Sequence, residues 1–270
     1  MVILYFADIF GRPGRAAIRK SLPDLLEKYK PDFVIANAEN LAGGRGVNKK
    51  CFNEMMGLGF HLLTSGNHIW DNKEIFAIMA SDTRILRPLN WLSPESDPCP
   101  GKGFTIIENN GKKLAVINLM GRVFMDAIDC PFSAVNEALL QIPEDCAILV
   151  DMHADATSEK YAMGWHLNGR VSAVVGSHSH VQTADERILT KGTAYITDVG
   201  MTGSFDSVIG LKPEEIIRRF MLKRPVPVQT ATENLGVGCV IITVGDDKKA
   251  TQIERLRFHV PSDDLTGDLE

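Results

Sequence analysis

The chain has 270 residues and a formal net charge of −5, with 44% apolar and 23% charged residues. This composition is ordinary for a soluble globular protein, and no apolar stretch reaches the roughly 20 residues of a membrane span. The acidic balance, without a basic run, argues against a protein that grips long nucleic acid.

The N-terminus and the cysteines bear on the compartment. Residues 1–8 lack the basic leader and cleavage site of a signal peptide. Their apolar run predicts a first strand instead. The five cysteines are scattered without a C-x-x-C pair, which argues against a disulfide framework and against a thiolate zinc site. We therefore expect a cytoplasmic protein.

The first half of the chain alternates short apolar runs with amphipathic segments. This β-loop-α rhythm predicts an α/β fold, a layered sandwich with a mixed, largely parallel central sheet flanked by helices. The elements expected here are a strand at Val2–Ala7, a loop at Gly11–Gly14, a helix to about Tyr29, a strand at Phe33–Ala36, a loop at Gly43–Gly46, a helix over residues 48–57, a strand at His61–Thr64 and a helix at Asp71–Met79.

The second half predicts further strands and one helix. We expect a single domain over residues 1–260, a candidate small cap insertion around residues 203–235, and a frayed acidic tail over residues 261–270. The expected elements are a hairpin of Phe104–Glu108 and Lys113–Asn118, strands at Ala147–Val150 and Val171–Val175, a helix at Pro213–Leu222, and strands at Gly238–Val244 and Gln252–Phe258.

Polar side chains follow five of the predicted strands. Ligands of open α/β sheets bind at the carboxyl ends of the strands, so this convergence is expected of an active site. Singly, each residue also fits a cap, a turn or a structural histidine; jointly they predict a site. The residues are Asp8, Glu39 and Asn40, Asn67 and His68, Asp151 and His153, and His178 and His180.

These residue types indicate metal coordination. Oxygen donors mixed with imidazoles, without thiolate, suit octahedral iron or manganese, with zinc as a third choice. Seven donors are too many for one ion that keeps an open position, and they suit two ions about 4 Å apart that share one carboxylate. These donors are Asp8, Glu39, Asn40, Asn67, His153, His178 and His180. Glu39, which ends a strand among other donors, is the expected bridge.

Some residues keep two interpretations. Asp71 either orients His68 or caps the next helix, with the cap favoured, and Asp151 is either a supporting residue or a plain strand end. Arg45 either closes over a substrate phosphate or lies in a flexible turn. Three other histidines are interpreted as structural: His61, His259, and His166, which we expect to pack against Trp165.

The pattern Asp8-x-Phe10, Glu39-Asn40, Gly66-Asn67-His68, Asp151-x-His153 and His178-x-His180 resembles the calcineurin-like metallophosphoesterase superfamily. Longer strings narrow the resemblance to the bacterial YmdB family of cyclic-nucleotide phosphodiesterases, from Val2 to about Phe258. These strings are Gly66-Asn67-His68-Ile69-Trp70-Asp71, Ala156-Thr157-Ser158-Glu159-Lys160, His180-Val181-Gln182-Thr183-Ala184-Asp185 and Tyr195-Ile196-Thr197-Asp198-Val199-Gly200-Met201-Thr202-Gly203.

Two departures from the superfamily pattern are shared with the YmdB type. Phe10 stands where a histidine ligand is usual, and Glu39 replaces the usual bridging aspartate, with Asn40 in the vacant place. The resemblance implies two metal ions, iron first, with manganese or zinc as alternatives. It implies Asp8, Glu39, Asn40 and His180 on the first ion, and Glu39, Asn67, His153 and His178 on the second.

The resemblance also implies the reaction. It predicts a metal-dependent phosphoric diester hydrolase with His68 as the proton donor, favouring 2′,3′-cyclic AMP or GMP over 3′,5′-cyclic forms. No residue that reads the base is identifiable in the sequence. A phosphomonoesterase, nucleotidase or RNA nuclease on the same site stays open, as do a nucleotide-binding regulatory protein with little turnover and a homo-oligomer.

Overall fold

The computed structural model describes residues 1–91 and 96–261. All but the first residue of the predicted acidic tail lies outside them. In chain order the elements are β1 (Val2–Phe6), α1 (Gly11–Tyr29), β2 (Phe33–Asn37), α2 (Lys49–Gly57), β3 (Leu62–Thr64), α3 (Glu74–Ser81), β4 (Phe104–Asn109), β5 (Lys112–Met120), α4 (Pro131–Leu139), β6 (Ala147–His153), α5 (Thr157–Leu167), β7 (Ala173–Ser177), β8 (Arg187–Ile188), β9 (Ala194–Ile196), β10 (Gly203–Ser204), α6 (Pro213–Leu222), β11 (Leu235–Val244) and β12 (Ala250–His259).

The strands form two mixed sheets. The first has the order β10-β11-β1-β2-β3, with β12 also paired to β11, and the second has the order β4-β5-β6-β7-β9-β8. β1, β2 and β3 run parallel, as do β5, β6, β7 and β9. The predicted α/β layered sandwich is confirmed. The sequence indicated one central sheet, and the structure divides those strands between two.

Alternation along the strands explains the layers. In β1, Ile3 and Tyr5 join an apolar cluster that fills the space between the two sheets. Leu4 and Phe6, which point to the opposite face, pack with the apolar residues of α1, α2 and α3. A third cluster joins the outer face of the second sheet to α4 and α5. The order of layers is therefore helix, sheet, sheet, helix, as period-two alternation on doubly covered sheets requires.

The predicted hairpin is confirmed as β4 and β5. Asn109 pairs with Lys112, which leaves a two-residue turn of Asn110 and Gly111. Both turn residues have positive φ, 50° and 74°, as a type I′ turn demands. Asn-Gly is the dipeptide that adopts this turn at the lowest steric cost.

Some predicted boundaries differ from the structure. The helix expected at Asp71–Met79 begins only at Glu74, and the strand expected at Ala147–Val150 continues through His153. Helices α4 and α5 were missed. α5 lacks a clean apolar stripe, because polar Lys160 and small Gly164 are among its buried residues. Within residues 1–91 and 96–261, no helix is long and apolar enough to cross a bilayer.

Candidate metal centre

The carboxyl ends of strands from both sheets meet at one point. The Nε2 atom of His153, the last residue of β6, lies 3.0 Å from Nδ1 of His178, just after β7. The same Nε2 lies 3.1 Å from Oδ1 of Asn67 after β3, and 3.2 Å from Oε2 of Glu39 after β2. Four potential ligand atoms from four strand ends therefore surround one small volume.

Glu39 belongs to two groups of potential ligands. One group is Glu39, His153 and His178, and the other is Asp8, Glu39 and His180. Within each group the ligand atoms all lie within 4.8 Å of one another. The shared carboxylate is the geometry that two neighbouring cations require.

The chemistry of the donors fits cations rather than a purely protein-internal network. Oδ1 of Asp8 and Oδ1 of Asn40 are buried and have no hydrogen-bond partner among the described residues. Buried polar atoms of native proteins are almost always paired, so these two oxygens call for an external partner. Gly66 lets two of the polar side chains approach each other closely, because a Cβ there would lie 2.2 Å from His153 and 2.3 Å from Glu39. The residues present therefore fit metal ions.

Protonation states in the metal-free centre follow from burial and charge. Burial disfavours the charged form of His153, but Glu39, Asp8 and Asp151 outweigh it and raise the pKa of His153 to about 9. Burial likewise opposes ionisation of Glu39, yet the imidazole of His153 helps lower the pKa of Glu39 to about 2. Burial and the neighbouring His153 lower the pKa of His178 to about 3.

Metal uptake should therefore release a proton from His153. The folded-state pKa lies above the ordinary value of a histidine, so below about pH 9 the imidazole must lose a proton before it can ligate. We expect the apparent Mn²⁺ affinity to rise by about tenfold per pH unit between pH 6 and 8. Calorimetric titrations in buffers of different ionisation enthalpy measure the released protons directly. A pH-independent affinity with no proton release would contradict this prediction.

A buried network fixes the orientation of the His153 ring. Ser177 Oγ donates to Asp151 (2.7 Å) and accepts from Nδ1 of His153 (2.9 Å), so that Nε2 faces the centre and presents a lone pair there once it is deprotonated. Thr64 and Asn37 donate to the other oxygen of Asp151. Asp151 is thus a supporting residue. Ser177, Thr64 and Asn37 were missed by sequence reasoning, since small polar residues at strand ends carry no distinctive signal.

His68 lies beside the centre and is oriented by Asp71. The Asp71 carboxylate lies 2.9 Å from Nδ1 of His68, and the backbone N–H of His68 donates to Glu39 (3.2 Å). The interpretation of Asp71 as a helix cap is wrong, because α3 starts at Glu74 with Lys73 at its N-cap position. Arg45 lies 3.9 Å from the same carboxylate.

Phe10, which has no ligand atom, packs beside the centre. Its ring meets the imidazole of His180 edge-on, with ring centroids 5.6 Å apart. Gly44 and Gly210 approach the same ring so closely that a Cβ at either would lie within 2.6 Å of it. Phe10 therefore supports His180 by packing, and Oδ1 of Asn40 is among the buried atoms that have no hydrogen-bond partner in the described part of the chain.

An open cavity of about 350 Å³ leads to the centre. Arg45 and the loops that carry the proposed ligands form part of its wall, and the segment predicted as a cap forms another part. The described lining residues are Phe10, Glu39, Asn40, Gly43, Gly44, Arg45, His68, His178, His180, Ile209, Leu211, Arg219, Val228 and Thr230. Residues 203–235 thus cover one side of the site; their status as an insertion stays a prediction.

The other three histidines lie outside the centre. His61 accepts the backbone N–H of Val34, and His259 contacts Asn234 (2.7 Å). His166 packs edge-on against Phe132 and contacts Asn136, so the expected packing against Trp165 is wrong. Trp165 lies instead beneath the guanidinium of Arg187. Adjacent helix residues point in different directions, which explains the difference.

Comparison with known proteins fits this geometry. A family model described as YmdB-like protein matches residues 4–256. A protein of Bacillus subtilis (strain 168) named 2′,3′-cyclic-nucleotide 2′-phosphodiesterase is 47% identical over 258 residues, which cover 95% of this chain and 96% of that protein. The chain belongs to the YmdB-like family. The resemblance predicted from the sequence strings is confirmed.

Two solved structures are similar over nearly the whole chain. A hypothetical protein from Thermus thermophilus superposes with a TM-score of 0.90 at 39% identity, covering 97% of this chain and 100% of that one. A structure described as a novel phosphatase from Mycoplasma pneumoniae gives a TM-score of 0.89 at 34% identity, covering 96% and 93%. These two proteins therefore share the fold of this chain over nearly its whole length.

Proposed function

We propose that the protein is a di-metal phosphodiesterase that opens the cyclic phosphate of 2′,3′-cyclic nucleotides, with 3′,5′-cyclic forms as weaker substrates. That it is a phosphoesterase follows from its relatives. The observation that carries the finer proposal is the shared Glu39, which belongs to two adjacent groups of potential ligands. The same geometry supports the seven proposed ligands, Asp8, Glu39, Asn40, Asn67, His153, His178 and His180.

Each residue then has a defined task. Asp8, Glu39, Asn40 and His180 would hold one ion, and Glu39, Asn67, His153 and His178 the other. Two bound cations would supply an acidified water as nucleophile and would neutralise phosphoryl oxygens. Iron is the expected metal, with manganese or zinc as alternatives that suit the same donors. Ser177 and Asp151 keep His153 in the tautomer that ligation needs.

His68 protonates the alkoxide that leaves. Asp71 accepts from Nδ1–H of His68, so Nε2 is the atom that carries the transferred proton. The ring lines the cavity beside the proposed ligands Glu39 and His178. Histidine is the side chain that most often serves as a general acid.

The shape of the cavity agrees with a nucleotide. Ile209, Leu211 and Val228 contribute apolar surface to the cavity, while Asn40, Arg45 and Arg219 contribute polar groups. A ribose and base have one apolar face and one phosphate end, which matches this division. A five-membered cyclic phosphate is strained, so a site with few substrate-specific contacts suffices to open it.

A phosphomonoesterase is the second candidate, because a 34% identical relative is described as a phosphatase. The test is parallel turnover of 2′,3′-cyclic AMP, 3′,5′-cyclic AMP, AMP and single-stranded RNA by Mn²⁺-loaded protein. We expect the highest kcat/KM for 2′,3′-cyclic AMP. A higher kcat/KM for AMP or RNA would reassign the activity. Binding without turnover of all four would make the protein a nucleotide-binding regulator.

Arg219 is expected to contact the substrate. It lies on α6 and lines the cavity opposite the ligand loops, whereas its neighbour Arg218 does not. Replacing Arg219 with Gln should raise KM for 2′,3′-cyclic AMP about tenfold, because one charge-assisted hydrogen bond to the nucleotide is lost. Arg218→Gln is the matched control and should leave KM unchanged. Equal effects of both substitutions would refute a direct contact.

A further inference from the structure

Three of the sequence strings that carry the family resemblance contain only one proposed metal ligand between them, which is His180. They lie at residues 156–160, 180–185 and 195–203. In the structure they meet behind the loop that carries His178 and His180. Nζ of Lys160 lies 2.6 Å from Oδ2 of Asp198, and each side chain is only 1% exposed. Thr183 donates through its backbone N–H to the carbonyl of Asp198 (3.0 Å) and closes the cluster.

Asp198 is bonded to the ligand loop itself. Its Oδ2 accepts the backbone N–H of Ser179 (3.1 Å), the residue between the two histidines. Its Oδ1 accepts the backbone N–H of Gly200 (2.8 Å). A carboxylate has two acceptor oxygens for these two donors and an amide has one, so an asparagine in place of Asp198 could accept only one of them.

Lys160 reaches Asp198 by passing over β7. At Gly176, two residues before His178, a Cβ would lie 2.9 Å from Cδ of Lys160 and 1.7 Å from the carbonyl oxygen of Thr197. The stem of the lysine therefore occupies the space that any larger residue would need. This close fit fixes the end of β7 and the ion pair with respect to each other.

The loop needs such an anchor because its backbone is strained. His178 and His180 have φ values of 99° and 62°, a region that is costly for residues with a Cβ. Strained residues persist only where the surroundings over-determine them. Here the strain separates two imidazoles that are only two residues apart, so that each joins a different ligand group.

A buried ion pair of this kind is poorly explained by stability alone. Desolvation of two charges roughly cancels their attraction, and apolar residues of similar shape often serve as well. Removing one partner, in contrast, leaves an uncompensated buried charge. A role in fixing geometry accounts for both the burial and the bond to Ser179.

We propose that Lys160 and Asp198 are positioning residues that preset the His178-Ser179-His180 loop for two metal ions. Asp198 holds the Ser179 amide, and Lys160 balances the charge of Asp198 inside the protein. The inference rests on the proposed function, since it takes His178 and His180 as ligands. It concerns binding of the ions, which is measurable without any substrate.

The test measures Mn²⁺ binding to metal-free protein by competition with a chromophoric chelator. Asp198→Asn should bind Mn²⁺ about 10- to 100-fold more weakly, the usual effect of losing a residue that orients a ligand. The double variant Lys160→Met/Asp198→Leu removes both charges together and should keep the fold. We expect it to show the same loss of affinity, which keeps the test valid if the single variant misfolds.

Thr193→Val is the control for a merely structural effect. Thr193 is fully buried, and its hydroxyl donates to Val171 (2.7 Å) and accepts from Gly169 (2.8 Å) at the start of β9, away from the centre. This variant should lose stability and keep wild-type Mn²⁺ affinity. Wild-type affinity in the double variant, or an equal loss in Thr193→Val, would overturn the proposal. Wild-type protein that binds no Mn²⁺ would instead overturn the proposed function.

Discussion

Replacing Glu39 with Gln is expected to lower kcat for 2′,3′-cyclic AMP by about 10³-fold or more, because both ions lose their shared anionic ligand. The side chain belongs to both ligand groups and is 1% exposed, with its pKa held to about 2. Glutamine has nearly the same shape and no charge. The variant should therefore keep the fold, and its Mn²⁺ content should fall below two ions per chain.

The measurement combines steady-state kinetics, metal content and thermal unfolding of the metal-free forms. Glu137→Gln is the matched control, since Glu137 is an exposed carboxylate on α4. It should behave as wild type in all three measurements. A Glu39→Gln variant that hydrolyses as fast as wild type would contradict the di-metal mechanism.

Replacing His68 with Ala is expected to slow turnover by about 10²- to 10⁴-fold, the usual contribution of a general acid. His68 is in neither group of potential metal ligands, so the variant should keep both ions. A substrate whose leaving group needs no proton, such as a p-nitrophenyl phosphodiester, should lose much less activity. That contrast separates proton donation from substrate binding.

Two further substitutions sharpen this prediction. His166→Ala removes a histidine of α5 outside the centre and should leave kcat unchanged. Asp71→Asn should reduce kcat less than His68→Ala, because the amide oxygen still accepts from Nδ1–H of His68. Loss of Mn²⁺ in the His68→Ala variant would refute its role as proton donor.

The sequence predicted the centre because its residues obey two simple rules. Asp8, Glu39 and Asn67 follow apolar runs, and the carboxyl ends of parallel strands meet at one edge of a sheet. Five such strand ends sufficed to indicate a metal site. The sequence predicted that Glu39 bridges two ions because it contains too many donors for one ion. The geometry supports this prediction, since Glu39 belongs to both groups of potential ligands.

The residues that support the centre were not predictable in the same way. Ser177 and Asn37 are common polar residues, and their roles depend on hydrogen bonds between different chain segments, up to 140 residues apart. Lys160 and Asp198 stood out only as letters of the family strings, because no spacing rule pairs a helix residue with a loop residue 38 positions later. Arg219, in the segment predicted as a cap, was also missed, because no spacing rule connects it with the residues at the strand ends.

The division of the strands into two sheets was also not predicted from the sequence. A strand covered on both faces reads as a continuous apolar run whether a helix or another sheet covers it. β1 and β6 therefore predicted a buried parallel sheet correctly, without saying what lay across it. Ile3 and Leu149 in fact join one cluster between the two sheets.

Anomalous scattering from crystals of Mn²⁺-loaded protein would locate the two proposed ions. We expect two peaks about 4 Å apart, one on each side of the Glu39 carboxylate. One should lie among Asp8, Asn40 and His180, and the other among Asn67, His153 and His178. A single peak, or a pair of peaks that does not share Glu39, would contradict the di-metal centre described above.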